Sequence, residues 1–321
     1  MTSTKWGIVS TIKAPTSEVL AFVAYHLELG ADHITIFLDD SNPKTANALA
    51  DHPSVTCICT DNKYWDNYLG RVPKKHQQRQ TRNATRCYQN SNGLDWIAHI
   101  DVDEFLCTDL DIRTILANQP KNFDVLRMRP FESLCREDDA ADDSETVPCK
   151  ATLPSGPNAA RLERELYPEF GGFFKSGFVS HTVGKIFVRT GLPNVEIRIH
   201  RAFDQKTKSP LQNRDLASIE LCHRHVKSWE KWLEIMEFRL ANGSYRAELE
   251  QSIDPASGRM SRHNLFSALT EDGTGGLRAF FEEVCLATPR LVDKLKEHGL
   301  FRAYDLELSS KLSKHFPSFG K

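Results

Sequence analysis

Several things are missing from this sequence, and each absence removes a class of function. Nowhere does an apolar run approach the roughly 18 residues of a membrane span, which excludes a helical membrane protein built on long apolar runs. The amino terminus, MTSTKWGIVSTIKAP, has no basic stretch followed by the roughly 7 to 15 apolar residues of a secretory leader, so a cytoplasmic location is expected. Excess charge of one sign is also missing: 41 Lys and Arg stand against 43 Asp and Glu, a formal charge of -2. No sequence-wide basic field draws the chain to nucleic acid or anionic lipid, and specificity must come from a local site. The eight cysteines form no CxxC pair and no zinc-type spacing with histidine, so neither a disulfide framework nor a structural zinc site is expected. Cys57 and Cys59 alternate in SVTCICT and are expected on one strand face as small, buried, apolar groups.

What remains is a chain of 321 residues, 40% hydrophobic, long enough to bury a full core in one large domain with an appended region, or in two domains. Short β-rich runs alternate with helical stretches in its first part, the pattern of βα units feeding a parallel sheet. WGIVSTI is the first predicted strand. A helix is predicted from about Ser17 to Gly30, with Leu20, Val23, Ala24 and Leu27 forming its buried stripe. HITIFLDD and SVTCICTD follow as strands, a polar helix from about Pro73 to Asn90 comes next, and DWIAHIDVDEF reads as a buried strand entering a turn. A short helix near Ile112 to Asn118 precedes the strand FDVLRMR. After Pro130 the acidic stretch CREDDAADDSETVPC lacks apolar periodicity and reads as an exposed loop. Three β-rich runs, KIFVRT, EIRIHRAF and IELCHRH, then lead into a largely helical carboxyl-terminal region opened by WEKWLEIMEFRLANG. Segments 1–130, 131–225 and 226–321 are the expected divisions.

The chemistry concentrates in DWIAHIDVDEFL, where an apolar strand meets Asp101, Asp103 and Glu104. Residues two apart share a strand face, so Asp101 and Asp103 converge if the strand persists that far. Carboxylates so placed repel unless a cation or hydrogen-bond donors neutralise them. Hard oxygen ligands in a partly open site suit Mg²⁺ or Mn²⁺ carrying a diphosphate. The end of a parallel strand is also where such sheets bind ligands.

That segment resembles the metal-binding strand of GT-A glycosyltransferases, in particular the family 2 and family 92 group with a D-x-D-E-F version. VAYHLELGADHITIFLDDSNPKTANAL and RQTRNATRCYQNSNGLDW resemble the group's first helix, second strand, acidic turn and Arg-Asn helix, so the likeness covers roughly residues 7 to 106. SHTVGKIFVRTGL, RIH and LCHRHVKSWEKW extend it more loosely. The resemblance implies an α/β GT-A (Rossmann-like) fold, a mostly parallel sheet flanked by helices, with a helical carboxyl-terminal region. It implies that Asp39 or Asp40 receives hydrogen bonds from the nucleotide, that Asp103 binds Mn²⁺ or Mg²⁺, that Asp101 binds the ribose, the metal or a metal-bound water, and that Arg82 and Asn83 support the nucleotide pocket. It further implies a third metal ligand from a later segment, for which His223 is the candidate, with His200 and His225 as alternatives.

Lys185, following the small Gly184, can meet a diphosphate oxygen, and His181 lies four residues before it. Glu132, just past FDVLRMR, is the expected catalytic base, with Glu137, Asp138 and Asp139 as competitors. The chain departs from its relatives at Ala14 and Pro15, where they carry an Asn-Glu pair, so that nucleotide contact is not carried over. The expected activity is a metal-dependent, inverting transfer of a sugar from a nucleotide sugar, a UDP-sugar, to a saccharide or glycolipid acceptor, in keeping with polysaccharide biosynthesis. Two alternatives stand beside it: a non-catalytic saccharide- or nucleotide-binding protein of this fold, and a nucleotidyltransferase. The latter normally needs a Gly-rich basic loop where this chain has TIKAPTSE.

Overall fold

The structure, a computed structural model, describes residues 3–40, 42–91, 93–136, 145–173, 176–241, 245, 259–271 and 273–319. The chain forms two compact units: residues 1–129, 183–221 and 306–321 make the first, and residues 130–182 and 222–305 the second. In chain order the first unit begins with β1 (Trp6–Ile12), α1 (Thr16–Glu28), β2 (His33–Leu38), α2 (Pro43–Ala50), β3 (Val55–Cys59), α3 (Asn62–Leu69), α4 (His76–Gln89), β4 (Trp96–His99), β5 (Glu104–Cys107), α5 (Ile112–Ala117) and β6 (Val125–Met128). The second unit takes β7 (Pro130–Ser133), β8 (Thr146–Ala151) and α6 (Ala159–Leu166). The chain then returns to the first with β9 (Lys185–Arg189), β10 (Val195–Ile197), β11 (Ala202–Asp204) and β12 (Asn213–Asp215), and leaves it along β13 (Glu220–His223). Helices α7 (Trp229–Ala241), α8 (Arg262–Thr270), α9 (Gly275–Phe280) with its π-helical continuation, and α10 (Pro289–Glu297) follow, then β14 (Phe301–Asp305), before α11 (Leu308–His315) closes the first unit.

The first unit is built on a seven-stranded sheet in the order β12-β6-β9-β4-β1-β2-β3. Strands β1, β2, β3 and β4 pair in parallel, as do β6 and β12; β9 runs antiparallel between β4 and β6. This is the mostly parallel, helix-flanked α/β architecture expected from the sequence, and a helical carboxyl-terminal part is present as well. Both sheet faces are apolar, as a sheet covered on two sides requires. Ile8, Ile12, Ile34, Ile36, Leu38, Trp96, Ala98 and Phe187 look to one face, with α1 and α5 packed there. Val9, Phe37, Ile97, Ile186 and Val188 look to the other, with Ala84 and Tyr88 of α4 and Val195 and Ile197 of β10. Alternation with a period of two along every central strand divides the residues between the two cores.

Helix α1 buries more than its predicted stripe: Val19, Phe22, Tyr25 and His26 are buried beside Leu20, Val23 and Ala24. It packs against α11 and β5 as well as the sheet. The predicted polar helix is α4, and a helix that was not anticipated, α3, precedes it. A left-handed Gly70 ends α3, and Pro73 lies before α4 rather than inside it. EIRIHRAF, read as one run, is a hairpin, with His200 in the connection between β10 and β11. The expectation for the Cys57 and Cys59 pair also needs correction. Cys57 is half-buried and Cys59 is exposed, at the end of the strand that forms the edge of the sheet.

In the second unit, β14, β8 and β7 form an antiparallel ladder. Its core is aromatic: Trp232 stacks on Phe280 at 6.2 Å and meets Phe266 edge-on at 5.9 Å, geometries that aromatic quadrupoles favour. Among the described residues no helix is long and apolar enough to cross a membrane.

Candidate functional site

Parallel pairing brings the carboxyl ends of β1, β2 and β4 to one edge of the first unit's sheet, and two acid-bearing segments start there. Asp39 follows β2, its N–H donating to the Ile12 carbonyl at 2.7 Å. After β4 ends at His99, the chain enters a turn. The Asp101 carbonyl accepts the Glu104 N–H at 3.1 Å, and the Asp101 N–H donates to Glu104 Oε2 at 2.8 Å. Asp101 and Asp103 therefore share a turn rather than a strand face, which corrects the geometry expected from their spacing.

The antiparallel sense of β9 delivers its first residue to the same edge. Lys185, fully buried, places Nζ 2.6 Å from Asp101 Oδ2 and 3.5 Å from Glu104 Oε2. Gln80 of α4 donates to the other Asp101 oxygen at 2.7 Å. Burial alone would lower the Lys185 pKa, but attraction to Asp101 and Glu104, with a smaller part from Asp103, overcomes it and raises the pKa. Lys185 stays charged. It and Gln80 are donors that neutralise Asp101. Beside them His99 is held neutral: burial first, then the Lys185 charge, lowers its pKa to about 4.

Asp39 is equally committed. Arg79 Nε lies 2.7 and 2.8 Å from its two oxygens, and His76 Nδ1 lies 2.8 Å from Oδ2. Burial opposes the carboxylate charge, but these hydrogen bonds outweigh it and hold the pKa below the usual range. Its neighbour Asp40 moves the other way, raised first by burial, with Oδ1 buried and without a hydrogen-bond partner. Asn83, fully buried, donates to Thr11 Oγ1 at 3.2 Å and accepts from Tyr64 at 2.7 Å, tying α3 and α4 to β1. Arg82 is on the exposed face of α4. His76, Arg79 and Gln80 were not singled out from sequence. The signal available was helical spacing, which puts His76, Arg79, Gln80 and Asn83 three or four apart along one side of α4.

On that same unit lies a cleft of about 1040 Å³, walled by the segment between α3 and α4, the outer face of α4 including Arg82, Val183, and residues 196–203 including His200. His200 Nδ1 is 2.7 Å from the Gly184 carbonyl. Gly184 has φ +81°, and a Cβ there would lie 2.0 Å from the Met128 carbonyl, so only glycine fits this approach.

The remaining predicted residues are in the second unit. His181, His223 and His225 form a row with successive ring centroids 5.0 Å apart. His225 Nε2 is 3.2 Å from the Tyr245 hydroxyl, which also donates to the Val179 carbonyl. Burial, then Arg239 and the neighbouring histidines, depresses the His225 pKa well below its ordinary value. A neutral imidazole is the form that binds a metal. Glu165, Glu297 and His298 also come within ligand reach of one another. Lys294, 3.2 and 2.8 Å from the two carboxylates, accounts for that group as an ion-pair network.

Glu132, the expected base, is fully buried. It faces Lys150 across the β7–β8 ladder, with 3.4 Å between the charges, and accepts the Val179 and Ser180 N–H groups at 3.0 and 2.6 Å. Burial would raise its pKa; Lys150 and these N–H groups lower it instead. Receiving a proton from an acceptor requires a carboxylate the acceptor can reach, and this one is enclosed by structural partners. Glu132→Gln is therefore expected to cost the second unit ~3–5 kcal/mol by leaving Lys150 buried and unpaired. Denaturant unfolding would show it, and Glu132→Gln with Lys150→Met should recover most of the loss. Unchanged stability with transfer reduced by about 10²-fold or more would instead make Glu132 the base. The competitors Glu137, Asp138 and Asp139 lie outside the described residues.

No family model matches the chain, and no curated protein matches it. Solved structures resemble it distantly. HddC from Yersinia pseudotuberculosis aligns at 10% identity and TM-score 0.36 over 73% of this chain and 99% of that one. A mycobacterial protein aligns at 12% and 0.32, over 71% and 70%. GalNAc-T7, solved with UDP, GalNAc and Mn²⁺, aligns at 8% and 0.38, over 98% of this chain and 58% of that one. Likenesses of this degree carry no residue assignment.

Proposed function

We propose that the chain is a divalent-cation-dependent glycosyltransferase of the family 2 and family 92 kind, moving a sugar from a UDP-sugar to a saccharide or glycolipid acceptor with inversion. One observation carries this reading: the acid-rich turn from Asp101 to Glu104 sits at the carboxyl edge of a mostly parallel sheet, beside the acidic end of β2, where α/β sheets bind ligands. Half-buried carboxylates suit a hard cation such as Mn²⁺ or Mg²⁺. Because Lys185 and Gln80 already hold both Asp101 oxygens, Asp103 is the direct ligand in this proposal. Asp101 sets the turn that presents it. The cation would neutralise charge growing on the departing diphosphate.

Calorimetry with UDP tests this reading. In Mn²⁺ the affinity should exceed that in chelator by at least about tenfold, because diphosphate and carboxylates repel each other without a bridging cation. Equal affinity in the two conditions would remove the metal site from the proposal.

A further inference from the structure

The cleft on the first unit carries a charge that the chain as a whole does not. Its walls present Arg71, Lys74, Lys75, Arg82, Arg198 and Arg201, against one acid, Glu196, in a protein of formal charge -2. Glu196 is already paired: Arg198 Nε contacts it at 2.8 Å while the same guanidinium lies over the Phe203 ring at 4.2 Å. Helix α4 adds to this field. It begins at the cleft with Lys75 as its N-cap, no side-chain cap bond and no acid of its own in the first turn, and the one carboxylate at that end, Asp39, is already paired with His76 and Arg79.

The walls also connect to the acidic turn. Gln80, in the helix that supplies Gln78, Thr81 and Arg82 to the cleft, donates to Asp101. Val183 of the cleft precedes by two residues the Lys185 that pairs with Asp101. At about 1040 Å³ the space is at the upper end of the ~300–1,000 Å³ usual for small-molecule sites. That suits an elongated ligand of several rings.

We propose that this cleft binds an anionic acceptor, an oligosaccharide bearing carboxylate or phosphate groups, beside the turn formed by Asp101 and Asp103. The proposal rests on the glycosyltransferase reading and deepens it by assigning the acceptor's chemistry. A planar guanidinium grips carboxylate or phosphate through two parallel hydrogen bonds, and Lys adds point charge. Among the described residues of the wall, Phe203 is the one Phe, Tyr or Trp, and Arg198 covers it, which disfavours a row of bases stacked as in single-stranded nucleic-acid sites.

The test is fluorescence anisotropy at low salt with labelled oligogalacturonate, a phosphorylated mannan oligosaccharide, a neutral dextrin and a single-stranded oligonucleotide. UDP with Mn²⁺ is titrated on the same proteins. Wild type should bind one or both anionic saccharides and neither of the other two probes; which of the two binds identifies the anionic group. Arg71→Glu with Lys74→Glu and Arg201→Glu should weaken that binding at least roughly tenfold, equivalent to about 1.4 kcal/mol, with UDP affinity kept within about twofold. The triple Ala variant, which adds no repulsion, should fall between. Should the Glu variant fail to melt like wild type, the Ala variant decides. Equal saccharide binding by variant and wild type, preference for the oligonucleotide, or loss of UDP affinity in the variants would each overturn the proposal. Wild type that binds the anionic saccharide but not UDP would overturn the glycosyltransferase reading alone. Binding of UDP but not the saccharide would overturn the cleft alone.

Discussion

Asp103→Asn is expected to abolish Mn²⁺-dependent UDP binding and sugar transfer together, with little change in stability, whereas Asp101→Asn should weaken the fold first. Asn keeps the size of Asp and removes the charge, so at Asp103 the proposed loss falls on the cation and on the charge it neutralises. Removing one group that stabilises developing charge typically costs on the order of 10²- to 10³-fold in turnover. At Asp101 the charge has a second duty. Lys185 is wholly buried and its nearest carboxylate is Asp101 at 2.6 Å, Glu104 being 3.5 Å away. Leaving that ammonium poorly paired should cost ~3 kcal/mol, the lower end for breaking a buried pair, because the Asp101 side chain is 30% exposed. Combining Asp101→Asn with Lys185→Met should restore much of the stability and none of the transfer. Both proteins need a melting curve, a UDP titration and a rate. Normal transfer by Asp103→Asn would leave the proposed mechanism without its metal ligand.

Acidification should destabilise the first unit well before its carboxylates titrate, because of one buried histidine. His26 packs between Phe22 and Phe105, with ring centroids 4.5 and 5.8 Å away. Its Nδ1 lies 2.8 Å from the Phe22 carbonyl, and the Leu106 N–H donates to Nε2 at 3.3 Å. Such bonding selects the neutral tautomer protonated on Nδ1. Burial, opposed only in part by the Phe22 contact, lowers the pKa from 6.5 to about 3. A proton therefore binds the unfolded chain first. Stability is unaffected by this group above pH ~6.5, falls by up to about 1.4 kcal/mol per unit below it, and stops falling near pH ~3, a total on the order of 5 kcal/mol. His99, lowered to about 4, steepens the same window. Denaturant midpoints between pH 8 and 4 would measure the slope, and the Leu106 amide should lose exchange protection as pH falls. His26→Gln retains a donor and an acceptor but cannot take the proton, so its slope should be shallower by about one proton. An unaltered slope in that variant would assign the acid sensitivity elsewhere.

Trp6, Ile8, Ile34, Ile36, Trp96 and Ala98 made the central strands legible, because period-two alternation with apolar residues on both faces has few other readings. Local pattern failed where the deciding partner is distant. Nothing within DWIAHIDVDEFL shows that the strand stops at His99, since the turn is held by Lys185 from β9 and Gln80 from α4. NKYWDNYL was passed over as a helix because it buries only Trp65. Glu132 looked like an accessible acid near a loop; its concealment depends on Lys150 in β8, a strand with little sequence signature. The cleft's cations are scattered between positions 71 and 201, and only the fold gathers them.

The reversed direction of β9 has a consequence for the order in which the protein is made. Synthesis from the amino terminus can complete the β3-β2-β1-β4 portion of the sheet once residue 99 has emerged, yet β6 joins it only through β9. Until residues 185–189 are available, β4 is an open edge, and Asp101 and Glu104 lack the ammonium that later neutralises them. The corner that carries Asp101 and Glu104 is thus completed only when the chain returns with β9.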